Sequence, residues 1–200
     1  MKLVVSTTNP GKLREIADIL SPVVGSGPRQ IELLTLRDFP DIVEPEETGA
    51  TFAENARLKA LYYAEATGLP CVADDSGIEI AALDNIPGVH SARWEGTDYA
   101  VKFRRIYELL RERGTSGSAA RFVCYIAVAT GAQITFEADG IVEGEIAPVP
   151  RGTNGFGYDP IFFYPPFGCT LAELDLARKA TVSHRGHAFA KLLAHLQTSL

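Results

Sequence analysis

The sequence predicts a mixed α/β protein, and three features indicate this class. Strand and helix patterns alternate in the first half of the chain, which is typical of α/β architecture. In the second half, two long strand-like runs at 121–130 and 133–146 meet at Gly131 and predict a hairpin or meander. With 200 residues and 46% hydrophobic content, the chain is long enough for one domain with a buried core. We therefore expect a single domain over residues 1–200, organised as two lobes.

The first half is predicted to alternate strands and helices. Asn9 as N-cap and Pro10 at the first helical position predict a helix that runs to about residue 20. Thr51 and Glu54 form a capping box for a second helix, which the Gly68-Leu69-Pro70 sequence ends. Apolar runs predict strands at 2–6, 31–36 and 71–73.

The second half continues with a helix, aromatic segments and a closing helix. A helix is predicted from Asp98 to about Arg113, because its apolar residues recur at helical spacing. The aromatic run 156–164 predicts a strand, and Thr170 with Glu173 forms another capping box. A helix from about Gly186 to Leu196 is expected to close the chain.

Composition excludes several classes of protein. The net charge is −6, whereas nonspecific binding to nucleic acid normally requires a basic face. Any anionic ligand would have to be attracted by a local cluster of lysine, arginine and metal. No apolar run approaches the roughly 20 residues of a membrane helix. The three cysteines follow no CxxC spacing, which favours a reducing compartment, and we expect a cytoplasmic protein without a signal peptide.

The most informative motif is Asp74-Asp75-Ser76-Gly77, which follows the apolar run Cys71-Val72-Ala73. Adjacent carboxylates at the end of a buried strand are costly to desolvate unless cations or hydrogen-bond donors meet them. The glycine predicts a sharp turn and a close approach by a ligand. The motif is typical of a site for a hard divalent cation and a water, although an ordinary turn has the same composition.

Two further segments could bind phosphate. The segment 7–12 lies between a strand and the start of a helix, where backbone N–H groups and the helix dipole favour anions. It does not match the GxxxxGK[ST] pattern of a P-loop, and a well-capped helix start is the alternative. Asn55 and Lys59 are four residues apart and share a helix face, so Lys59 either points at phosphate or extends into solvent.

An acidic loop and two later segments complete the candidate site. Asp41, Glu44, Glu46 and Glu47 indicate either a solvated loop or an oxygen ligand for Mg²⁺. The segment 155–160 carries aromatic residues between glycines, which suits either stacking on a nucleobase or an aromatic core strand. Ser183-His184-Arg185-Gly186, with Lys179 four residues earlier, offers donors for a base edge or a phosphate, or else forms a charged helix start.

Taken in chain order, these motifs resemble those of the inosine triphosphate pyrophosphatase family, which hydrolyses non-standard purine nucleoside triphosphates. The matching blocks are 7–12 with Glu15, 46–49, 52–59, 74–77, 87–94, 155–162 and 183–186. The resemblance implies an elongated central mixed sheet flanked by helices, with two lobes that form a nucleotide-binding cleft. It also implies a homodimer that requires Mg²⁺ and releases a nucleoside monophosphate and pyrophosphate.

The resemblance also implies a role for each candidate residue. Asp75 would be the general base and a metal ligand, and Glu46 would be a second metal ligand. The phosphates would contact Thr7, Thr8, Asn9, Pro10, Gly11, Lys12, Lys59 and Ser76. The base and sugar would contact Phe156, Gly157, Tyr158, Asp159, Lys179, His184 and Arg185.

Two other functions stay open on the sequence. A pyrophosphatase with a different base preference, such as one acting on modified pyrimidine nucleotides, would need the same phosphate chemistry. A nucleotide-binding sensor without turnover is the second alternative, although a pure binder has no use for Asp75 beside a metal. Phosphorus NMR with ITP and Mg²⁺ tests these functions by whether pyrophosphate, orthophosphate or no new signal appears.

Overall fold

The computed structural model describes residues 1–27 and 29–199, and it confirms the mixed α/β class. The strands are β1 (Lys2–Val5), β2 (Glu32–Thr35), β3 (Cys71–Ile80), β4 (Ala119–Thr130), β5 (Gln133–Ile146), β6 (Phe162–Tyr164) and β7 (Cys169–Thr170). The α-helices are α1 (Pro10–Leu20), α2 (Phe52–Thr67), α3 (Tyr99–Glu112), α4 (Leu176–Val182) and α5 (His184–Ser199).

The strands form one seven-stranded mixed sheet in the order β2-β1-β3-β4-β5-β6-β7. Strand β1 pairs in parallel with β2 and β3, with Val4 opposite Leu34 on one side and opposite Cys71 on the other. Strands β5, β6 and β7 pair antiparallel. The sheet therefore combines parallel strands separated by helices with antiparallel strands that are close in sequence.

The chain divides into two compact units. The first comprises Met1–Asp75, Cys124–Gly140 and the segment from His184 onward, and the second comprises Ser76–Val123 and Ile141–Ser183. The core of the first unit includes Leu3, Ile16, Ile126, Phe189 and Leu192. The core of the second includes Ile78, Ile106, Phe122, Phe162 and Leu171. No helix in the described ranges is long and apolar enough to span a bilayer.

The capping residues chosen from the sequence begin the helices as expected. The Asn9 side chain accepts hydrogen bonds from the backbone N–H groups of Gly11 and Lys12, and Pro10 is the first residue of α1. Thr51 and Glu54 form the predicted capping box of α2, and Gly68 ends that helix with a φ of 68°. This conformation is left-handed, which glycine adopts without the steric cost that a side chain imposes.

Strand β3 is longer than the sequence analysis expected. The predicted turn at Asp74-Asp75-Ser76-Gly77 is wrong, because extended backbone continues through these residues to Ile80. Gly77 serves a close approach by the protein's own backbone: a Cβ atom there would lie 2.4 Å from both the Gly88 carbonyl oxygen and Ser91 Oγ. The carboxylates are thus inside a strand and are held by side chains from neighbouring elements.

Two expectations in the second half also need correction. The segment 156–164 is a strand only at β6, since Gly155 and Gly157 have positive φ and a 3-10 turn covers Asp159–Ile161. Left-handed glycines and Pro160 are incompatible with a continuous ladder. Helix α4 was not predicted, and α5 begins at His184, two residues before the expected start.

Candidate functional site

Asp74 and Asp75 lie side by side on β3 and are both buried, with exposed fractions of 3% and 6%. Successive side chains of a strand point to opposite faces of the sheet. Asp74 contacts α1 and α5, whereas Asp75 contacts α2. One short segment therefore supplies two carboxylates to two separate sets of partners.

Cationic side chains surround Asp74. Its Oδ2 lies 2.8 Å from Lys12 Nζ and accepts a hydrogen bond from an Arg185 terminal nitrogen at 3.1 Å. The other terminal nitrogen of Arg185 donates to Glu15 Oε2 at 2.7 Å. Burial by itself would raise the pKa of Asp74, but Lys12, Arg185 and Lys59 outweigh it and hold this pKa well below its usual range. The cations around Asp74 therefore favour its ionised form.

Asp75 is in a less favourable environment for its charge. Asn55 Nδ2 donates to Asp75 Oδ2 at 3.0 Å, and Lys59 Nζ lies 3.4 Å from Asp75 Oδ1. Burial and the nearby charge of Glu47 raise the pKa of Asp75, and they exceed the opposing effects of Lys59, Asn55 and Lys12. A carboxylate with a raised pKa is a better proton acceptor, which suits a general base.

Lys59 connects Asp75 to the acidic loop. Its ammonium also lies 2.5 Å from Glu47 Oε1, and only 8% of its side chain is exposed. Burial lowers the pKa of Lys59, but Asp75, Asp74 and Glu47 together raise it above its ordinary value. Lys59 therefore points inward rather than into solvent, and it carries its charge among carboxylates.

Asn55 fixes the loop that carries Glu46 and Glu47. Its Oδ1 accepts a hydrogen bond from the backbone N–H of Gly49 at 2.8 Å while its Nδ2 donates to Asp75. A Cβ on Gly49 would come within 2.6 Å of Asn55 Oδ1, so this position requires glycine. Within the loop, Glu47 is the residue that contacts Lys59, and Glu46 is exposed. A metal-binding role for Glu46 stays a prediction.

The segment 7–12 is organised by its own side chains. Asn9 Oδ1 accepts from the N–H groups of Gly11 and Lys12 at 2.8 and 3.2 Å, and the Asn9 N–H donates to Thr7 Oγ1. Two of the backbone donors expected to face a phosphate are thus already bonded within the protein. Lys12 lies against Asp74, so its charge is in place close to the β3 carboxylates.

In the second unit, Asp159 organises residues 155–159, which we call the aromatic loop. Asp159 Oδ2 accepts from the Phe156 N–H at 2.8 Å and from Lys179 Nζ at 2.5 Å. Lys179 Nζ also lies 4.8 Å from the centre of the Phe156 ring. A Cβ on Gly155 would come within 2.2 Å of Asp159 Oδ2. Phe156, Asp159 and Lys179 therefore form one contiguous group.

Tyr158 does not present the open aromatic face that the glycine pattern predicts. It is 4% exposed, and its hydroxyl donates to the Ser91 carbonyl oxygen at 2.9 Å. Its ring packs edge-on against Tyr99 with centres 5.2 Å apart. Tyr158 therefore supports the loop from inside, whereas Phe156 is partly exposed, and stacking of a base on Phe156 stays a prediction.

The start of α5 is buried. Ser183, His184 and Arg185 have exposed fractions of 1%, 5% and 1%. A Cβ on Gly140 of β5 would lie 2.0 Å from the His184 carbonyl oxygen, so this glycine lets the helix approach the strand. Two nitrogens of Arg185 donate to Glu15 and Asp74. Direct contact of Arg185 or His184 with a base stays a prediction.

Two buried charged residues have contacts that the sequence did not predict: Glu15, which was named only with the 7–12 block, and Lys102, which was not singled out. Glu15 is 4% exposed and lies beside Ile16 on the inward side of α1, where it binds Arg185. Lys102 is 0% exposed on α3, at helical spacing from Tyr99 and Ile106. A charged residue on the apolar stripe of a helix is the signal that could have identified both.

In the described part of the chain, no group of three or more His, Cys, Asp or Glu side chains could hold a metal by itself. Mg²⁺ commonly takes one or two protein carboxylates and completes its coordination with water and substrate phosphates. Asp75 and Glu47 already direct oxygen atoms at the single cationic Lys59 Nζ. Hard oxygen donors that gather around one positive charge are chemically suited to Mg²⁺ together with a polyphosphate.

The fold and this buried group of acids and cations define a mixed α/β protein with a polar reaction site, and comparison with known proteins gives its family. The Ham1 family model matches residues 3–195. This chain belongs to the Ham1 family, which confirms the resemblance drawn from the motifs.

Several relatives are similar over nearly their whole length. The dITP/XTP pyrophosphatase of Exiguobacterium sp. is 43% identical over 196 residues, covering 98% of this chain and 97% of that protein. The dITP/XTP pyrophosphatase of Geobacter sulfurreducens is 48% identical over 198 residues, with 98% and 96% covered. The solved structure of a HAM1 protein from Coxiella burnetii has a TM-score of 0.88 at 39% identity, covering 99% of each chain.

Proposed function

We propose that this chain hydrolyses the non-standard purine nucleoside triphosphates ITP, dITP and XTP to the nucleoside monophosphate and pyrophosphate, which removes them from the nucleotide pool. The observation that carries the proposal is the pair of relatives named dITP/XTP pyrophosphatase, at 43% and 48% identity over nearly the full chain. The buried Asp75, with its raised pKa, adds a proton acceptor of the kind this reaction needs.

In the proposed reaction, water attacks the α-phosphorus. The new bond forms between the water oxygen and that phosphorus, and the bond to the oxygen bridging the α- and β-phosphates breaks. Pyrophosphate leaves with the bonding electron pair, and Asp75 takes the proton from the water. Asn55 holds Asp75 through its side-chain amide, so the carboxylate oxygen that accepts the proton has a fixed orientation.

Lys12 and Lys59 supply positive charge for the phosphate oxygens. Both side chains are largely buried, at 16% and 8% exposed, where electrostatic interactions are stronger than in water. In the described structure they pair with Asp74, Glu47 and Asp75. Fixed donors aimed at developing charge need no reorganisation during the reaction. The remaining phosphate contacts are assigned to residues 7–11 and Ser76.

We propose that Asp75 and Glu46 bind one Mg²⁺, with Glu47 of the same loop close by. When bound, Mg²⁺ would neutralise developing charge on the phosphates and lower the pKa of a bound water. The carboxylate chemistry of this segment supports the choice of a hard cation. Omitting Mg²⁺ or adding EDTA should abolish pyrophosphate release, and restoring Mg²⁺ should recover it; full turnover in EDTA would reject a metal requirement.

Base selection is assigned to the aromatic loop with Lys179, and to His184 and Arg185. Hypoxanthine and xanthine present an O6 acceptor beside N1–H, whereas adenine presents an amino donor and an N1 without a proton. A protein donor that faces position six is satisfied by ITP and left unpaired by ATP, which discriminates strongly. Guanine shares O6, so its rejection must come from its 2-amino group.

A substrate panel tests the proposal most directly. ITP, dITP, XTP, ATP and GTP would be compared at equal Mg²⁺, with pyrophosphate detected separately from orthophosphate. We expect kcat/KM for the first three to be well above the values for ATP and GTP, with pyrophosphate as the phosphorus product. Comparable kcat/KM for ATP and ITP would reject the base preference, and orthophosphate as the only product would reject the reaction.

We further propose a cytoplasmic homodimer. Cys71, Cys124 and Cys169 are all free thiols, which supports a reducing compartment. The dimer is proposed from the family resemblance alone. Light scattering coupled to size-exclusion chromatography would test it, since a mass corresponding to one 21.6 kDa chain would exclude the dimer.

A further inference from the structure

Lys102 is a lysine that the second unit buries completely, with an exposed fraction of 0%. Its Nζ donates to the backbone carbonyl oxygens of Ser91 at 2.9 Å and Ala92 at 2.7 Å. Within residues 1–27 and 29–199 it forms no ion pair with a carboxylate. Burial lowers the pKa of Lys102, which reflects the cost of keeping an ammonium there.

A purely structural clamp would not need this charge. A buried charge is costly to desolvate unless it is paired and hydrogen-bonded, and even a buried ion pair can often be replaced by apolar side chains of similar volume without loss of stability. A methionine at position 102 would fill much the same space without the desolvation cost. We therefore examine which neighbouring groups the Lys102 ammonium holds in place.

The Lys102 ammonium faces two aromatic rings. It lies 4.6 Å from the ring centre of Tyr99 and 5.7 Å from that of Tyr158. Both distances are within the range of cation–π attraction, which strengthens when the cation is desolvated. The two rings also pack edge-on against each other, with their centres 5.2 Å apart. Lys102 thus fixes the orientation of both rings as well as the Ser91 carbonyl.

The two rings connect Lys102 to the aromatic loop. Tyr158 belongs to it, and its hydroxyl donates to the same Ser91 carbonyl oxygen that Lys102 binds. Tyr99 approaches Gly157, where an added Cβ would lie 3.6 Å from the Tyr99 hydroxyl. Asp159, which follows Tyr158 in the loop, accepts hydrogen bonds from both the Phe156 N–H and Lys179 Nζ. A continuous series of contacts therefore leads from Lys102 to the group assigned to the base.

We propose that Lys102 is a positioning residue for base recognition, which sets the aromatic loop so that Phe156 and Lys179 meet a purine with an O6 acceptor. The inference rests on the proposed function, because it assumes that the aromatic loop binds the base. Lys102 touches neither the phosphates nor Asp75 in this assignment. Its loss should weaken binding of the nucleotide through the base alone.

Inorganic tripolyphosphate provides the decisive comparison, because it carries the phosphates and lacks a base. For Lys102→Met, we expect KM for ITP to rise about tenfold, the size of one lost cation–π and hydrogen-bond group. The ratio of kcat/KM for ITP to that for ATP should fall as well. The inhibition constant of tripolyphosphate and kcat for ITP should stay near the wild-type values.

Two further variants define the role of Lys102. Tyr158→Phe removes the hydroxyl that shares the Ser91 carbonyl, and the double variant should raise KM by less than the product of the single effects. Lys191→Met is the matched control, because this exposed lysine also donates to a backbone carbonyl, that of Asp139. If Lys102→Met does not fold, Lys102→Gln, whose side-chain amide keeps two N–H donors without the charge, replaces it in the comparison.

The outcomes separate the two proposals. Equal changes in KM for ITP and in the tripolyphosphate inhibition constant, or no change in either, would overturn the role of Lys102. Strictly multiplicative effects of Lys102→Met and Tyr158→Phe would also overturn it. A wild-type protein that releases no pyrophosphate from ITP would instead reject the proposed function, whatever the variants do.

Discussion

Asp74 and Asp75 are adjacent in the chain, yet their surroundings shift their pKa values in opposite directions. Burial opposes ionisation of both, but Lys12, Arg185 and Lys59 overcome it at Asp74. At Asp75, burial and Glu47 outweigh the single closest cation, Lys59. Pairs of titratable groups with divergent pKa values commonly divide roles in catalysis. The cations around Asp74 favour its ionised form, and the raised pKa of Asp75 suits the proton acceptor that we propose.

The two aspartates should respond differently to loss of charge. Asp75→Asn should lower kcat by about 100-fold or more, because a positioned proton acceptor is removed. A group whose pKa is raised by folding contributes stability at low pH and loses it as pH rises through that pKa. At neutral pH the charge of Asp75 is therefore unfavourable, and the thermal midpoint of Asp75→Asn should equal or exceed that of the wild type.

Asp74→Asn is the matched comparison. A pKa lowered by folding contributes stability above the unfolded pKa of about 3.9, and this contribution is complete at neutral pH. Removing the charge takes a buried anion away from Lys12 and leaves Arg185 with its carboxylate contact to Glu15, which should cost about 3 kcal/mol. Calorimetry at pH 7 measures both midpoints, and a lower midpoint for Asp75→Asn than for Asp74→Asn would contradict the assignment.

The pH dependence of the reaction should report Asp75. The acid limb of kcat/KM for ITP should have its midpoint above the ordinary aspartate value of about 3.9, since the base must be ionised. Glu47→Gln removes a negative charge that raises the pKa of Asp75, so the midpoint should move to lower pH. Glu65→Gln, which changes an exposed carboxylate on the same helix as Lys59, serves as the control. A midpoint that Glu47→Gln leaves in place or raises would exclude this coupling.

Phe156 should account for much of the binding free energy of the base. Stacking of a base on an aromatic ring contributes about 1–3 kcal/mol, so Phe156→Ala should raise KM for ITP by about 5- to 150-fold. Phe167→Ala is the control, because Phe167 is 40% exposed and lies outside the aromatic loop. Steady-state kinetics of both variants decide the point, and a normal KM for Phe156→Ala would assign stacking elsewhere.

Gly140 should be intolerant of any side chain. In Gly140→Ala the new Cβ would lie 2.0 Å from the His184 carbonyl oxygen and 2.6 Å from the Ala188 nitrogen. Both are backbone atoms, so relieving the clash requires a shift of the helix backbone. We expect a loss of about 1–3 kcal/mol of unfolding free energy, together with reduced activity as Arg185 shifts from Asp74. Gly131→Ala, where nothing lies within 4 Å but φ is 55°, should cost about 1 kcal/mol and leave activity unchanged. Urea titration measures the unfolding free energy of both variants. Equal values for Gly140→Ala and Gly131→Ala would show that α5 can move away from β5.

Much of the fold could be predicted because it depends on local signals. Asn9, Thr51 and Gly68 act on the backbone within a few residues of themselves, so their effect on helix ends is visible in the sequence. The continuation of β3 through Asp74 and Asp75 could not be predicted in this way. Two acidic residues and a glycine favour a turn locally, and only distant cations make an extended, buried conformation favourable.

The candidate site shows the same division. Residue types and their order were enough to propose Asp75, Lys59, Phe156 and Lys179 as site residues, since each carries a group suited to phosphates, metal or base. The buried ion pairs beside them were not visible in the sequence, because Arg185 is 170 positions from Glu15 and 111 positions from Asp74.

The sequence by itself determined the mixed α/β class and the starts of α1 and α2, because short-range capping and hydrophobic periodicity specify these properties. The tertiary structure alone decided that cations surround Asp74 and lower its pKa, whereas the pKa of Asp75 is raised. The reason is physical: a pKa depends on burial and on the charges within a few ångströms, and chain folding brings those charges together from distant positions.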